Sequence, residues 1–223
     1  MFKFKGISSA KMNVVIEEEE HFLARASQRV EMTEIEGKDG AIYDELGYSV
    51  IERPIKVQIL DVTKLDDILI WLNGEGVLEY KGRRTIARFY SELEPIRNSC
   101  IKIIDTTFIR DPFWYKIVDE FVIVPGTVIN YGNIPSRPII RLEKGNSSTV
   151  DLTIGGVRFS YNFNNESYVE IDCEEMTVKY EGLNRNRQIQ ISYDFPKLEV
   201  GENTITIHSG NAIVKIKRKD RWL

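Results

Sequence analysis

Cysteine and histidine are almost missing from this 223-residue chain, which has two of each: Cys100 and Cys173, His21 and His208. So few, so far apart, they remove most zinc sites and most hydrolase triads. The cysteines show no CxxC spacing, and two free buried thiols in a reducing compartment are expected in preference to one long-range disulfide. No apolar run approaches the roughly 20 residues of a membrane-crossing helix. The opening Met1-Phe-Lys-Phe-Lys-Gly6 is too polar for a secretory signal. A basic excess is also lacking: 30 Lys and Arg stand against 34 Asp and Glu, a net charge of -4. That is a poor footprint for a dedicated nucleic-acid binder, which must neutralise phosphates. Neither a phosphate-cradling GxxxxGK[ST] nor a GxSxG elbow occurs. What remains is an ordinary globular balance, 42% hydrophobic and 29% charged, enough for one large domain or two of about a hundred residues.

The apolar residues repeat mostly with period two, the mark of half-buried strands. Val57 and Ile59, then Ile101 and Ile103, alternate with polar neighbours. Val150 to Ile154, Tyr168 to Ile171, Met176 to Tyr180, Ile189 to Ile191, Thr204 to Ile207 and Ile213 to Ile216 repeat the pattern, with Gly- and Asn-rich turns between them. Short strands and frequent turns predict a sandwich or barrel. One segment departs from this. Leu65, Ile68, Leu69 and Leu72 fall on one helical stripe, with Thr63 as N-cap, Asp66 and Asp67 near the positive end of the helix dipole, and Asn73-Gly74 as a left-handed stop. A helix of about three turns is expected there, lying on a sheet. Residues 17–30 read equally as a weak helix or as a strand with a charged tip.

The best domain boundary follows the segment Asp111, Pro112, Phe113, Trp114 and Tyr115, before a stretch with prolines at 125, 135 and 138. Division after Glu120 gives the first part 17 basic and 22 acidic residues, about -5, and the second 13 and 12, about +1. The acidity belongs to the first part.

Candidate chemistry is sparse. His21 follows Glu17, Glu18, Glu19 and Glu20, but adjacent residues do not share a face and no second histidine is near; a solvated charged segment is the simpler reading. His208 reads as an ordinary residue of a strand or turn. Glu174 and Glu175 are consecutive, and consecutive strand residues diverge, which disfavours a paired-carboxylate site. Phe159, Tyr161 and Phe163 share a strand face that could stack on sugars, although a core face has the same appearance. Asp111 to Tyr115 packs three aromatic rings into a turn, either as a plug between domains or as an anchor for a neighbouring subunit.

Taken in order, several segments resemble the distal tail protein family of long-tailed siphophages of Gram-positive bacteria. They are Phe2-Lys-Phe-Lys-Gly6 with Ser8-Ser9, Gly37-Lys-Asp-Gly40 before Leu46-Gly-Tyr48, and Leu69-Ile-Trp-Leu-Asn-Gly-Glu-Gly-Val-Leu78. The aromatic segment at 111–115, Asn130-Tyr-Gly-Asn-Ile-Pro-Ser-Arg-Pro138, Asp194-Phe-Pro-Lys-Leu-Glu-Val-Gly-Glu-Asn203 and Arg221-Trp-Leu223 complete the series. Lys38 stands where the family usually has arginine. The resemblance implies a mainly β protein: an N-terminal β-rich domain with one helix over residues 1–120, and a C-terminal galectin-like β-sandwich over 121–223. It implies no catalysis and no cofactor or metal. The expected role is a homo-hexameric ring at the virion tail tip, made in the host cytoplasm, which joins the tail tube protein to a tail-associated hub protein and to receptor-binding or adhesion proteins. DNA is met only in passage through the channel, and no membrane insertion is expected. The candidate interface is Asp111, Pro112, Phe113, Trp114 and Tyr115, and the candidate channel lining is Glu17, Glu18, Glu19 and Glu20. A carbohydrate-binding module of a tail or cell-surface adhesin is the alternative.

Overall fold

Alternation becomes strand after strand in the computed structural model of the chain, which describes residues 1–98, 101–192 and 194–223. Two units divide the chain, Met1–Ile117 and Val118–Trp222.

The first unit contains β1 (Phe2–Phe4), β2 (Ile7–Ser8), β3 (Val14–Ile16), β4 (Gln28–Glu34), β5 (Ala41–Tyr48), β6 (Ile51–Ile59), α1 (Leu65–Trp71), β7 (Gly74–Tyr80), β8 (Arg83–Phe89), β9 (Glu94–Asn98), β10 (Ile101–Arg110) and β11 (Trp114–Lys116). Its main sheet runs in the order β2-β1-β7-β8-β10-β6-β3, with β9 beside β10 and β11 beside β8. The longest pairing, β10 with β6, runs antiparallel from Lys102↔Ile59 to Arg110↔Ile51. Among the described residues of this unit, only β4 and β5 stand apart, as a two-stranded hairpin.

Buried aromatic rings fill this unit. Phe22 meets Phe2, Tyr80 and Phe108 edge-on at centroid distances of 5.3, 5.5 and 5.0 Å, and Phe4 meets Phe89 at 4.9 Å. The helix is shorter than the sequence predicts and its apolar stripe is shifted. Ile68, Trp71 and Leu72 are buried, whereas Leu65 and Leu69 are only half buried. Trp71 explains the shift. Its ring stacks on Phe2 at 5.5 Å and its indole N–H donates to the Phe4 carbonyl at 2.8 Å, so the helix turns to seat the largest side chain. The cap differs too. Asp61, not Thr63, accepts the free amide: its carboxylate takes the Thr63 N–H at 3.1 Å and the Thr63 hydroxyl at 2.6 Å, opening a 3-10 turn over Val62–Lys64 that leads into α1. The stop is as expected from Asn73-Gly74, with Gly74 at φ +72°. Residues 17–30 form neither alternative in full; a 3-10 turn at Glu19–Leu23 precedes β4.

The second unit contains β12 (Val122–Ile123), β13 (Thr127–Asn130), β14 (Ile139–Lys144), β15 (Thr149–Ile154), β16 (Val157–Asn162), β17 (Tyr168–Asp172), β18 (Thr177–Tyr180), β19 (Leu183–Asn184), β20 (Ile189–Ile191), β21 (Gly201–Ser209), β22 (Ala212–Lys217) and β23 (Arg221–Trp222). One sheet has the order β12-β22-β14-β17-β18-β19 and the other β13-β21-β15-β16-β20. A single apolar core takes residues from both, among them Ile140, Leu142, Val169 and Ile216 from the first and Leu152, Phe159 and Tyr161 from the second. This is a β-sandwich. Phe159, Tyr161 and Phe163 are all buried in it, so the aromatic face is core and offers no stacking surface. The β15–β16 turn requires Gly155: its φ is +55° and a side chain there would collide with the Lys197 carbonyl.

Candidate assembly surface

The 3-10 turn that precedes the hairpin and the aromatic turn meet at one buried cation in the first unit. Arg110, at the end of β10, is 0% exposed. It donates from Nε to the Phe22 carbonyl at 2.9 Å, from Nη2 to the Ala24 carbonyl at 2.6 Å, and from Nη1 to the carbonyls of Asp111 and Pro112 at 2.7 and 3.2 Å. Its guanidinium also lies 5.0 Å from the Trp114 ring. Four carbonyl dipoles and an aromatic face thus solvate the charge, and burial pushes the Arg110 pKa down to about 10. The chain entering the hairpin and the Asp111-Pro112 turn are both fixed to this guanidinium. Sequence reading misses Arg110, because Phe22 and Ala24 lie 88 and 86 residues away.

Within the aromatic segment the five residues have different surroundings. Asp111 accepts from Arg88 Nη1 at 2.6 Å, while Arg88 Nε holds Glu75 at 2.8 Å; the Asp111 hydrogen bond leads the causes that raise the Arg88 pKa. Pro112 is half buried. Phe113 is half buried, packs edge-on against Tyr48 at the foot of the hairpin, 5.3 Å between centroids, and its carbonyl accepts the Thr85 hydroxyl at 2.8 Å. Trp114 is 1% exposed and belongs to the core of the unit. Tyr115 is half buried and pairs with Arg84 across β8.

Beyond that foot the hairpin is bare. Every residue of β4 is exposed, and Met32 and Tyr43 remain 56% and 65% accessible. The register places Met32 opposite Tyr43 and Val30 opposite Glu45 on one face, Glu31 opposite Asp44 and Thr33 opposite Ile42 on the other. Residues 28–48 hold six carboxylates, Glu31, Glu34, Glu36, Asp39, Asp44 and Glu45, against Arg29 and Lys38. Both faces mix apolar residues with carboxylates, Glu34 and Glu45 beside Met32 and Tyr43 on one, Glu31 and Asp44 beside Ile42 on the other, and a ribbon with no paired sheet is incomplete alone, because an isolated two-stranded hairpin is marginal in water.

The glutamate run lies where β3, the last strand of the sheet order, gives way to the 3-10 turn. Glu17, Glu18 and Glu20 are exposed and Glu19 is half buried. Glu17 accepts from Gln58 Nε2 at 2.6 Å, and Glu18 approaches His21 Nδ1 at 3.4 Å while that nitrogen meets the Pro54 carbonyl at 2.8 Å. Burial, then Glu19, pushes the Tyr80 phenol up to about 12.

In the second unit the other candidates are dispersed. Glu174 and Glu175 lie in a turn rather than a strand, where both backbone N–H groups donate to Asp172 Oδ1; their carboxylates go to different lysines, Lys219 at 3.3 Å and Lys179 at 3.1 Å. His208 Nε2 is 2.8 Å from the Thr153 hydroxyl, but the nearby Asp151 carboxylate is held by Arg158 at 3.1 and 2.6 Å. Among the described residues no group of three His, Cys, Asp or Glu side chains could hold a metal ion, and no helix is long and apolar enough to cross a membrane.

Residues 131–222 match the family model of the siphovirus-type tail component, C-terminal domain. The whole chain is similar in fold to the crystal structure of SPP1 Dit (gp 19.1), described as a paradigm of hub adsorption apparatus in Gram-positive infecting phages: TM-score 0.69 at 13% identity, covering 100% of this chain and 98% of that one. The phage P2 baseplate in its activated conformation with Ca gives a TM-score of 0.39 at 10% identity, over 93% of this chain and 91% of that one. No curated protein sequence matches significantly. The second unit thus matches the siphovirus-type tail component in sequence over residues 131–222, and the whole chain shares the fold of SPP1 Dit.

Proposed function

We propose that the chain is the structural hub of a siphophage tail tip: a homo-hexameric ring that joins the tail tube protein to a tail-associated hub protein and to the adhesion proteins. The role is assembly and not catalysis. The observation that carries the reading is the bare hairpin rooted on Arg110. A head-to-tail ring needs two unlike complementary patches on each subunit, and an exposed acidic ribbon that also bares Met32 and Tyr43 supplies one of them. The Glu31–Asp44 pair supports this, since two carboxylates directly opposite one another repel until a cation sits between them. In this reading the next subunit provides that cation and covers Met32 and Tyr43. Phe113 and Tyr115 at the hairpin foot belong to the same interface, whereas Asp111, Pro112 and Trp114 shape it from below.

The channel is the second part of the proposal. Six copies of residues 1–120 would carry about -30 in total, and a negative wall repels the phosphate backbone of DNA in passage. Glu17, Glu18, Glu19 and Glu20 are the candidate lining. The competing role for this run is protection of the β3 edge, beside which it lies, against strand-to-strand aggregation.

Mass measurement in solution tests the ring. The full chain is expected to give a hexamer, alone or with a tail partner, and a variant with residues 30–46 replaced by a two-glycine turn is expected to remain monomeric and folded. A hexamer that survives the deletion would remove the hairpin from the interface. Replacement of residues 17–20 by four lysines tests the lining, since unchanged DNA ejection from normally assembled virions would end that assignment.

A further inference from the structure

One corner of the first unit's main sheet is the electrical counterpart of the hairpin. A two-residue turn, Lys81 and Gly82 at φ +46° and +76°, joins β7 to β8 between Tyr80 and its register partner Arg83. Alongside, β11 sets Lys116 opposite Arg83 and Tyr115 opposite Arg84. Four cations, Lys81, Arg83, Arg84 and Lys116, thus gather on two rungs of the ladder and the adjoining turn. Lys81, Arg84 and Lys116 are exposed, and Arg83 is half buried. Adjacent strand residues alternate faces, so Arg84 leaves the opposite face from Arg83 and Lys116, and the charges surround the corner. Glu79, opposite Arg84 on β7, is shared with Lys3 at 3.4 Å. Arg83 and Lys116 repel across the ladder, as Glu31 and Asp44 do on the hairpin.

Several other cations of the unit are already engaged. Arg88 holds Glu75 and Asp111, Arg110 is buried against carbonyls, Lys56 faces Asp105, and Arg29 donates to the Leu46 carbonyl. Among the described residues the six hairpin carboxylates make no ion pair. The corner does not serve its own ribbon. Phe113 packs on Tyr48 at the hairpin foot, and Tyr115, two residues on, faces Arg84. From that foot β5 runs eight residues, about 26 Å at roughly 3.3 Å each. The corner therefore lies beside the foot, while Glu34, Glu36 and Asp39 lie at the far end.

We propose that the corner formed by Lys81, Arg83, Arg84 and Lys116 receives the acidic hairpin of a second copy of this chain and supplies the cation that Glu31 and Asp44 require. The proposal rests on the ring reading and names the second of its two patches. A receptor beside the foot suits a head-to-tail arrangement, because each ribbon leaves its own corner and reaches the next. DNA or another polyanion would satisfy the cations, but would leave the hairpin carboxylates unpaired and Met32 and Tyr43 bare.

Charge reversal on full-length chains tests the pairing by mass measurement in solution. The corner variant K81E/R84E/K116E spares the half-buried Arg83, and the ribbon variant E31K/D44K reverses the facing carboxylates. Each variant alone should associate at least about tenfold more weakly than the wild type, because like charges then face each other. Equimolar mixing should restore the ring with the two chains alternating, since every ribbon then meets a corner of opposite sign. If the reversed corner does not fold, K81Q/R84Q/K116Q takes its place, again with weakened association expected. A corner variant that assembles like the wild type overturns the proposal and leaves the hairpin ring standing. Two weakened variants that mixing does not rescue overturn the pairing of these two patches. A wild-type chain that assembles under no condition overturns the ring reading, and the corner's role with it.

Discussion

Arg110 shows how much one side chain can organise without a carboxylate partner. A buried cation is tolerated only when its hydration is replaced, here by carbonyls drawn from two separate segments. Arg110→Met should cost about 3 kcal/mol or more, because several buried carbonyls lose their donor at ~1–3 kcal/mol each; chemical denaturation measures it, and a change below about 1 kcal/mol would show that water replaces the guanidinium. Glu166 is the matching case in the second unit. It is 4% exposed, accepts the Asn164 N–H at 2.7 Å and pairs with Arg185 at 2.7 Å. Burial alone would raise its pKa, but the hydrogen bonds and Arg185 outweigh burial and hold it below the ordinary carboxylate range. A depressed folded-state pKa contributes stability that is present above the unfolded carboxylate value and lost as the pH falls through the folded one. Glu166→Gln should therefore flatten the acid limb of the stability curve below about pH 4.5, while an unaltered limb would assign the acid transition to other groups. Cys173 is buried and its thiol pKa is raised by burial, so a thiol reagent should leave it unmodified in the native protein and reach it only on unfolding. The expected free thiol of Cys100 lies outside the described residues.

At the scale of elements, α1 is the sharpest comparison between sequence and structure. Leu65, Ile68, Leu69 and Leu72 make the tidier stripe on paper, yet the helix rotates to bury Trp71 with Ile68 and Leu72. A ring that stacks on Phe2 and donates to Phe4 outweighs two leucines. Ile68→Ala is therefore expected to cost about 2–5 kcal/mol and Leu69→Ala distinctly less, an order that thermal melts of the two variants would check. Equal losses would restore the leucine stripe. The hairpin teaches the reverse lesson. Residues 28–34 and 41–48 form strands although every residue of β4 is exposed, so burial within the chain does not explain them. Glu31→Gln removes the carboxylate clash with Asp44, and in the proposed ring it should stabilise the free subunit by a few tenths of a kcal/mol while weakening association. Sedimentation at matched concentrations would reveal a shift in the opposite sense, which contradicts the proposed cation.

For the whole molecule, the two units carry different burdens. The first concentrates the negative charge and the bare hairpin, whereas the second is a nearly neutral sandwich with one core. If the ring closes through the first unit, a chain ending near Glu120 should still associate and residues 121–223 should remain monomeric by light scattering. Association seen only in the second piece would reverse the assignment.

The sequence by itself determined the mainly β character and most strand positions, because alternation such as Val150 to Ile154 can bury one face only as a strand. It also determined that Phe159, Tyr161 and Phe163 share a face, and that a helix stops at Asn73-Gly74. Only the tertiary structure decided which shared face was core, since a sugar platform and a packed sheet alternate identically until a second sheet covers one of them. It decided the hairpin as well, because residues 17–30 have no apolar period to read, and strand pairing there depends on residues 41–48. Arg110 was beyond any local reading. Its partners at Phe22 and Ala24 become neighbours only when β10 and the 3-10 turn fold together, and the free energy of a buried charge depends on those neighbours and not on the residues beside it in the chain.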